Sequence, residues 1–148
     1  MIKVLFVCHG NICRSPMAEY LFKDMVKRMG KENDFLINSA ATSREEIGNP
    51  VHHGTRKKLA EFGITCSDKR AIQMTSHDYE SYDYILAMDS FNLRNMRPFV
   101  GNDPEGKVHL LLDYAGGGDI ADPWYTGNFD DTYNDIMKGL KGFISHLQ

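Results

Sequence analysis

The sequence predicts an α/β fold, a single domain over residues 1–148 in which a four-stranded, open parallel sheet carries helices on both faces. Three observations carry that prediction. Short apolar runs alternate with stretches of helical periodicity, the pattern of strands joined by crossover helices. The first run, Ile2 to Val7, is apolar almost throughout, as a central strand buried on both faces must be. That run stops abruptly at Cys8, and a helix-start signal follows at Ser15 and Pro16. Ligands of open parallel sheets sit beyond the carboxyl ends of the strands, so Cys8 falls where a site is expected.

Taken in order, the first helix is predicted from about Pro16 to Met29. Ala18, Leu21, Phe22, Met25, Val26 and Met29 recur at three- and four-residue spacing, and Gly30 supplies a left-handed stop. Phe35 to Ala41 reads as the second strand. Asn49 and Pro50 repeat the cap-then-proline signal, opening a helix that carries Leu59 and Phe62 inward and ends at Gly63. Thr75 to Tyr79 predicts a short helix and Tyr84 to Met88 a third strand. Asp89 or Ser90 caps a helix that ends before Pro98. Val108 to Leu112 is the fourth strand, and Asp113 to Asp130 a loop. The last helix sets Tyr133, Ile136, Met137, Leu140, Phe143, Ile144 and Leu147 on one face.

Composition narrows the function. A net charge of −3 with no long basic run argues against nucleic acid as the principal partner. The opening apolar run is too short for a signal-peptide core or a membrane span, which predicts a soluble protein with no membrane partner. Three cysteines, Cys8, Cys13 and Cys66, are an odd number for a disulfide framework and fit a reducing cytoplasm. His52 and His53 are read as pointing to different sides of a helix, and the acidic residues between Asp119 and Asp135 lack regular ligand spacing, so no metal is expected.

The chemistry concentrates in Cys8, His9, Gly10, Ile12, Cys13 and Arg14, with Asn11 among them: one short loop whose amides turn inward on an anion. The start of a helix beneath it contributes unpaired N–H groups and the positive end of the helix dipole, which suit both a phosphate and a thiolate. A thiolate at Cys8 attacks phosphorus in line, and the planar fork of Arg14 holds equatorial oxygens. Gly10 allows a positive φ or a close approach, and Asn11 tolerates left-handed geometry. Ser15 both accepts from a helix N–H and donates to the Cys8 sulfur. Asp122, in the run ADPWY, is the candidate general acid, stiffened by Pro123 and shielded by aromatics. Nothing in the local sequence places it near Cys8. Gly116 to Gly118 lack the lysine and helix start of a nucleotide-binding loop and read as a spacer or hinge.

VLFVCHGNICRSPMAE, followed far downstream by DPWYTGNFDDTY, resembles the low-molecular-weight protein tyrosine phosphatase family. INSAATS, IGNPVH, DYILAMD and NLRNM are similar to its intermediate blocks, so the resemblance spans essentially the whole chain. It implies a Rossmann-like sheet of the phosphotyrosine phosphatase I type, no cofactor, and hydrolysis of protein phosphotyrosine and small aryl phosphates through a phosphocysteine. It implies Cys8 as nucleophile, Arg14 as phosphate ligand, Ser15 as thiolate partner and Asp122 as general acid and base. Asn11 becomes the loop-stabilising asparagine, Ser39 the serine that supports it, and Trp124 with Tyr125 the walls for an aromatic leaving group. Cys13 reads either as a redox thiol that pairs with Cys8 or as a small buried residue, and the resemblance favours the first. Two positions depart from the family pattern: Asp68 replaces a histidine that supports the asparagine, and Glu45 replaces an aromatic of the cleft wall, which predicts repulsion of acidic phosphopeptides.

Other readings are separated by single features. An arsenate reductase of this fold needs a downstream cysteine relay, and no cysteine follows Ile72. A protein-arginine phosphatase resembles a threonine where this chain has Ile12. A phosphate-binding module would not need Cys8, Arg14 and Asp122 together. The partners expected are phosphotyrosine proteins, met by a monomer.

Overall fold

In the structure, a computed structural model that describes residues 1–148, the elements follow in the order β1 (Ile2–Cys8), α1 (Arg14–Arg28), β2 (Phe35–Ala41), α2 (His53–Ala60), α3 (Ser76–Ser81), β3 (Tyr84–Ala87), α4 (Ser90–Asn95), α5 (Arg97–Val100), β4 (Val108–Leu110), α6 (Pro123–Thr126) and α7 (Phe129–Leu147). The four strands form one parallel sheet in the order β2-β1-β3-β4. The chain leaves β1 to one side for β2 and returns to its other side for β3, which makes the carboxyl end of β1 the switch point. Cys8 stands there, in register with Ala41 of β2.

The unbroken apolar character of β1 has its cause in burial on both faces. Val4, Phe6 and Cys8 point into one core with Phe22 of α1, Leu59 of α2, and Ile136, Leu140 and Phe143 of α7. Leu5 and Val7 point the other way, into a second core with Met74, Tyr79, Met96 and Val100. Helices therefore cover both faces, as predicted. The larger core is knit by Phe22, whose ring meets Phe6 edge-on at 5.9 Å, Phe35 edge-on at 5.4 Å and Phe143 at 5.5 Å. In α7, Gly142 lets the helix lie against the chain before it: a Cβ there would stand 2.0 Å from the Tyr114 carbonyl oxygen.

Several local expectations need correction. Helix α1 starts one residue before Ser15, with Cys13 at its N-cap and no side-chain cap, so Ser15 lies inside the first turn and is free to face the site. The second cap-then-proline signal does not open a helix. Pro50 forms an isolated antiparallel bridge with Arg70, and α2 begins at His53 with His52 as N-cap, its ring nitrogen accepting from the Gly54 amide at 3.0 Å. Phe62 lies beyond α2, 41% exposed, with its ring stacked on Tyr133 at 4.8 Å instead of in the core. The helix capped by Asp89 does end before Pro98, at Asn95, and Pro98 itself sits in the first turn of a further helix, α5, where it displaces no hydrogen bond. Strand β4 stops at Leu110 because Asp113 turns back to accept the Leu110 amide, winding Leu111–Ala115 into a 3-10 turn. The predicted loop up to Asp130 contains α6 and the first turn of α7.

Candidate active site

The loop from Cys8 to Arg14 turns back on itself so that the Cys8 sulfur receives two donors. The Ser15 hydroxyl lies 3.0 Å from Sγ, and the Asn11 amide donates to it at 3.3 Å. The sharp reversal falls on Asn11, at φ 58°, and not on Gly10. Gly10 serves close approach instead, since a Cβ there would press on Glu46 at 3.3 Å. Asn11 is fully buried and spends every polar atom of its side chain. Nδ2 donates to Ser15 at 2.8 Å and to Ser39 at 2.9 Å, while Oδ1 accepts from the Ile72 amide at 3.2 Å. With one Asn11 hydrogen on its oxygen, Ser15 is free to donate its own to sulfur, and when Cys8 is ionised it must, since a thiolate has no proton to give. The sequence expectation that Ser15 also accepts from a helix amide is replaced by acceptance from Asn11.

Beneath Asn11, the expected Ser39 leads on to partners that the sequence did not suggest. The Ser39 hydroxyl donates to Glu19 at 2.5 Å, and Glu19 is buried within α1. Lys23 donates to the same carboxylate at 2.6 Å. Lys69 lies 3.7 Å from it and donates to the Ser39 carbonyl at 2.8 Å. Burial holds the Lys69 ammonium below the ordinary lysine value, against the pull of Glu19. Asp68 is not among the partners of Asn11; its neighbour Lys69 reaches instead the carbonyl of Ser39, whose hydroxyl in turn accepts from Asn11. The signal that could have found Glu19 is its place among apolar neighbours, between Ala18 and Phe22 on the inward side of α1.

Arg14 is 2% exposed and held from three sides. Its Nη1 donates to Asp89 at 2.6 Å and to the Ile120 carbonyl at 2.7 Å, and its Nη2 lies 3.4 Å from Asp122. Burial works against the cation, but the Cys8 sulfur, Asp89 and Asp122 together keep it above the ordinary arginine value. With Nη1 spent on positioning, the Nε and Nη2 edge is the fork left for an oxyanion. Asp89, read from the sequence only as a helix cap, does both jobs: Oδ1 caps α4 at the Asn92 amide and Oδ2 anchors Arg14. Asp122 likewise caps α6, accepting from the Trp124 amide at 3.0 Å.

One pocket gathers these groups. It is lined by the loop residues Cys8, His9, Gly10, Ile12, Cys13 and Arg14 together with Glu45, Glu46, Asp122, Trp124 and Tyr125. Every residue expected at the site is therefore in it or, for Asn11, Ser15 and Ser39, directly bonded beneath it. At the rim His9 meets Glu45 at 2.9 Å. Cys13 is buried, and burial, with the nearby Cys8 and Asp122, pushes its thiol up to about 12. His52 and His53 do not diverge as expected, since their rings stack at 4.3 Å.

A buried cysteine ending a parallel strand, with a fixed arginine fork and a carboxylate across one pocket, defines an α/β protein built to bring a thiol against an oxyanion. The model of the low molecular weight phosphotyrosine protein phosphatase family matches residues 3–148, and the chain belongs to that family. It is 40% identical to the low molecular weight protein-tyrosine-phosphatase YfkJ of Bacillus subtilis, over 100% of this chain and 97% of that one. The crystal structure of YfkJ superposes with a TM-score of 0.95, covering 100% of this chain and 95% of that chain. A low molecular weight phosphotyrosine protein phosphatase of Gallus gallus is also 40% identical, over 95% of this chain and 92% of that one. The fold is shared more widely: a drosophila arginine phosphatase is 29% identical with a TM-score of 0.88, covering 99% of this chain and 98% of that chain. No helix is long and apolar enough to cross a membrane.

Proposed function

We propose that the chain is a protein-tyrosine phosphatase that hydrolyses phosphotyrosine in proteins, and small aryl phosphates, in two displacements on Cys8. The sulfur attacks phosphorus while the bond to the aryl oxygen breaks, and Asp122 gives that oxygen its proton. Water then attacks the phosphocysteine, Asp122 takes its proton, and the thiolate leaves with phosphate released. Arg14 and the loop amides hold the equatorial oxygens through both steps. The observation that carries this reading is the Cys8 sulfur, with Ser15 and Asn11 as donors, in one pocket with Arg14 and Asp122. The chain supplies the whole constellation itself, so a monomer suffices for the chemistry, and its odd, thiol-bearing cysteine set suits the cytoplasm.

Fold alone does not separate phosphotyrosine from phosphoarginine, so the test compares turnover of the two in matched peptides. Phosphotyrosine is expected to be the better substrate by kcat/KM, because Ile12 stands where resemblance to a protein-arginine phosphatase would call for a threonine, and Trp124 and Tyr125 line the pocket for an aryl ring. Faster turnover of phosphoarginine reassigns the substrate, and turnover of neither, with phosphate still bound, leaves a binding module. Among phosphotyrosine peptides, acidic flanks are disfavoured by Glu45 and Glu46, an effect that salt weakens.

Cys13 is the proposed redox partner. Peroxide converts the Cys8 thiolate to a sulfenic acid, releasing hydroxide; the Cys13 sulfur then attacks, water leaves, and a disulfide forms. Because the Cys13 thiol is pushed up to about 12, little of it is thiolate at neutral pH, so the second step is slow and accelerates as pH rises. Mass mapping after mild peroxide is expected to show the Cys8–Cys13 bridge, with thiol restoring activity. Equal recovery in Cys13→Ser would leave Cys13 as packing only.

A further inference from the structure

The segment that carries Asp122 is anchored through buried Ile120 and Pro123 but turns its aromatic side chains to solvent. Helix α6 is four residues long, and Trp124 and Tyr125 on it are 57% and 83% exposed. Both aromatic ends of this segment lean on one ring. His52 takes the edge of Trp124 at 5.7 Å and stacks with Phe129, the first residue of α7, at 5.3 Å and 17°. The contact with Phe129 is close because Gly54 lies flush beneath it: a Cβ there would stand 2.3 Å from the ring. His52 is tied equally to the nucleophile loop. Its amide donates to the Ile12 carbonyl at 2.8 Å, and three residues on, the Thr55 hydroxyl donates to the Cys13 carbonyl at 3.0 Å.

From this juxtaposition we infer that His52 is a positioning residue that holds the acid-bearing segment in register with the nucleophile loop. The inference rests on the phosphatase reading above. Its ring is the neutral tautomer with the proton on Nε2, since Nδ1 accepts from the Gly54 amide. Burial, with His53 and Arg56 nearby, keeps the ring below the ordinary histidine value and so preserves that acceptor at neutral pH. A ring wedged between loop and segment converts the position of one into the position of the other, and general acid catalysis depends on an error of well under an ångström in where Asp122 stands.

Two jobs of this side chain can be separated. His52→Asn keeps a capping acceptor and removes the ring; His52→Phe keeps a ring and removes the acceptor. If the ring positions the acid, His52→Asn lowers kcat/KM, which reports the first displacement alone, about 10-fold for phosphotyrosine and phenyl phosphate and no more than about 2-fold for p-nitrophenyl phosphate, because only poor leaving groups need the proton. His52→Phe then keeps the wild-type ratio between those substrates, even where its unfolding temperature falls. The inference is overturned if His52→Asn lowers kcat/KM for all three substrates alike or for none of them. It is equally overturned if His52→Phe shows the larger leaving-group dependence, which would make the cap the important feature. Absence of turnover in the wild-type chain would instead sink the phosphatase reading, so the two failures are distinct.

Discussion

Cys8→Ser is expected to abolish hydrolysis of p-nitrophenyl phosphate while leaving thermal unfolding close to that of the wild type. The serine oxygen would occupy the place of Sγ and receive the same Ser15 and Asn11 donors, so no buried polar group is orphaned and the loop has no reason to move. What changes is the nucleophile. A serine hydroxyl keeps its proton at neutral pH, and no base stands within hydrogen-bond reach of Cys8 to remove it: its partners, Ser15 and the Asn11 amide, are a hydroxyl and a donor. Loss of a nucleophile whose partners act as a unit costs kcat on the order of 10⁴-fold or more. Rapid-quench kinetics should show a burst of p-nitrophenol from the wild type and none from the variant. A variant retaining a few per cent of activity would mean that the covalent step occurs elsewhere.

How much of the fold and site is legible in the sequence depends on whether the cause is local. Strand β1 and its turn into α1 are readable because two-sided burial writes itself as an unbroken apolar run, and the anion loop is contiguous in sequence. The misreadings share a different cause. Asn49 followed by Pro50 is a favourable pair both for a helix start and for an extended turn, and only the bridge from Pro50 to Arg70 decides between them. Phe62 resembles a core residue because apolar spacing continues past Ala60, whereas the helix ends there and Tyr133 receives the ring at the surface. Asp89, Glu19 and Lys69 escape assignment because they come from separate elements. Their meeting is fixed by strand order: β3 lies beside β1, which carries Asp89 to Arg14, and β2 lies on the other side, which carries Ser39 to Asn11 and Glu19. The switch-point rule predicts where they converge but not which side chains do so.

Asp122 is the member of the site most dependent on that convergence, and its replacement gives the most informative result. In Asp122→Asn the side-chain oxygen can still accept from the Trp124 amide, since asparagine caps helices as well as aspartate does, so α6 keeps its start. The other oxygen, 3.4 Å from Arg14, becomes an amide donor that can neither protonate a leaving group nor take a proton from water. Asp122 is partly exposed, its side chain at 24%, so the native carboxyl exchanges its proton with solvent between turnovers. The expected loss of kcat/KM is ~10²–10³ for phenyl phosphate and phosphotyrosine, whose oxygens leave poorly, and far less for p-nitrophenyl phosphate. The limb of the pH profile on which wild-type activity falls as the acid loses its proton should flatten in the variant. For good leaving groups the second displacement, in which Asp122 activates water and which is already the slower step in the wild type, slows further, and more phosphocysteine accumulates in a quenched reaction. If good and poor leaving groups slow equally and the limb survives, Asp122 acts through Arg14 and the α6 cap alone, and the proton comes from another group such as Asp119.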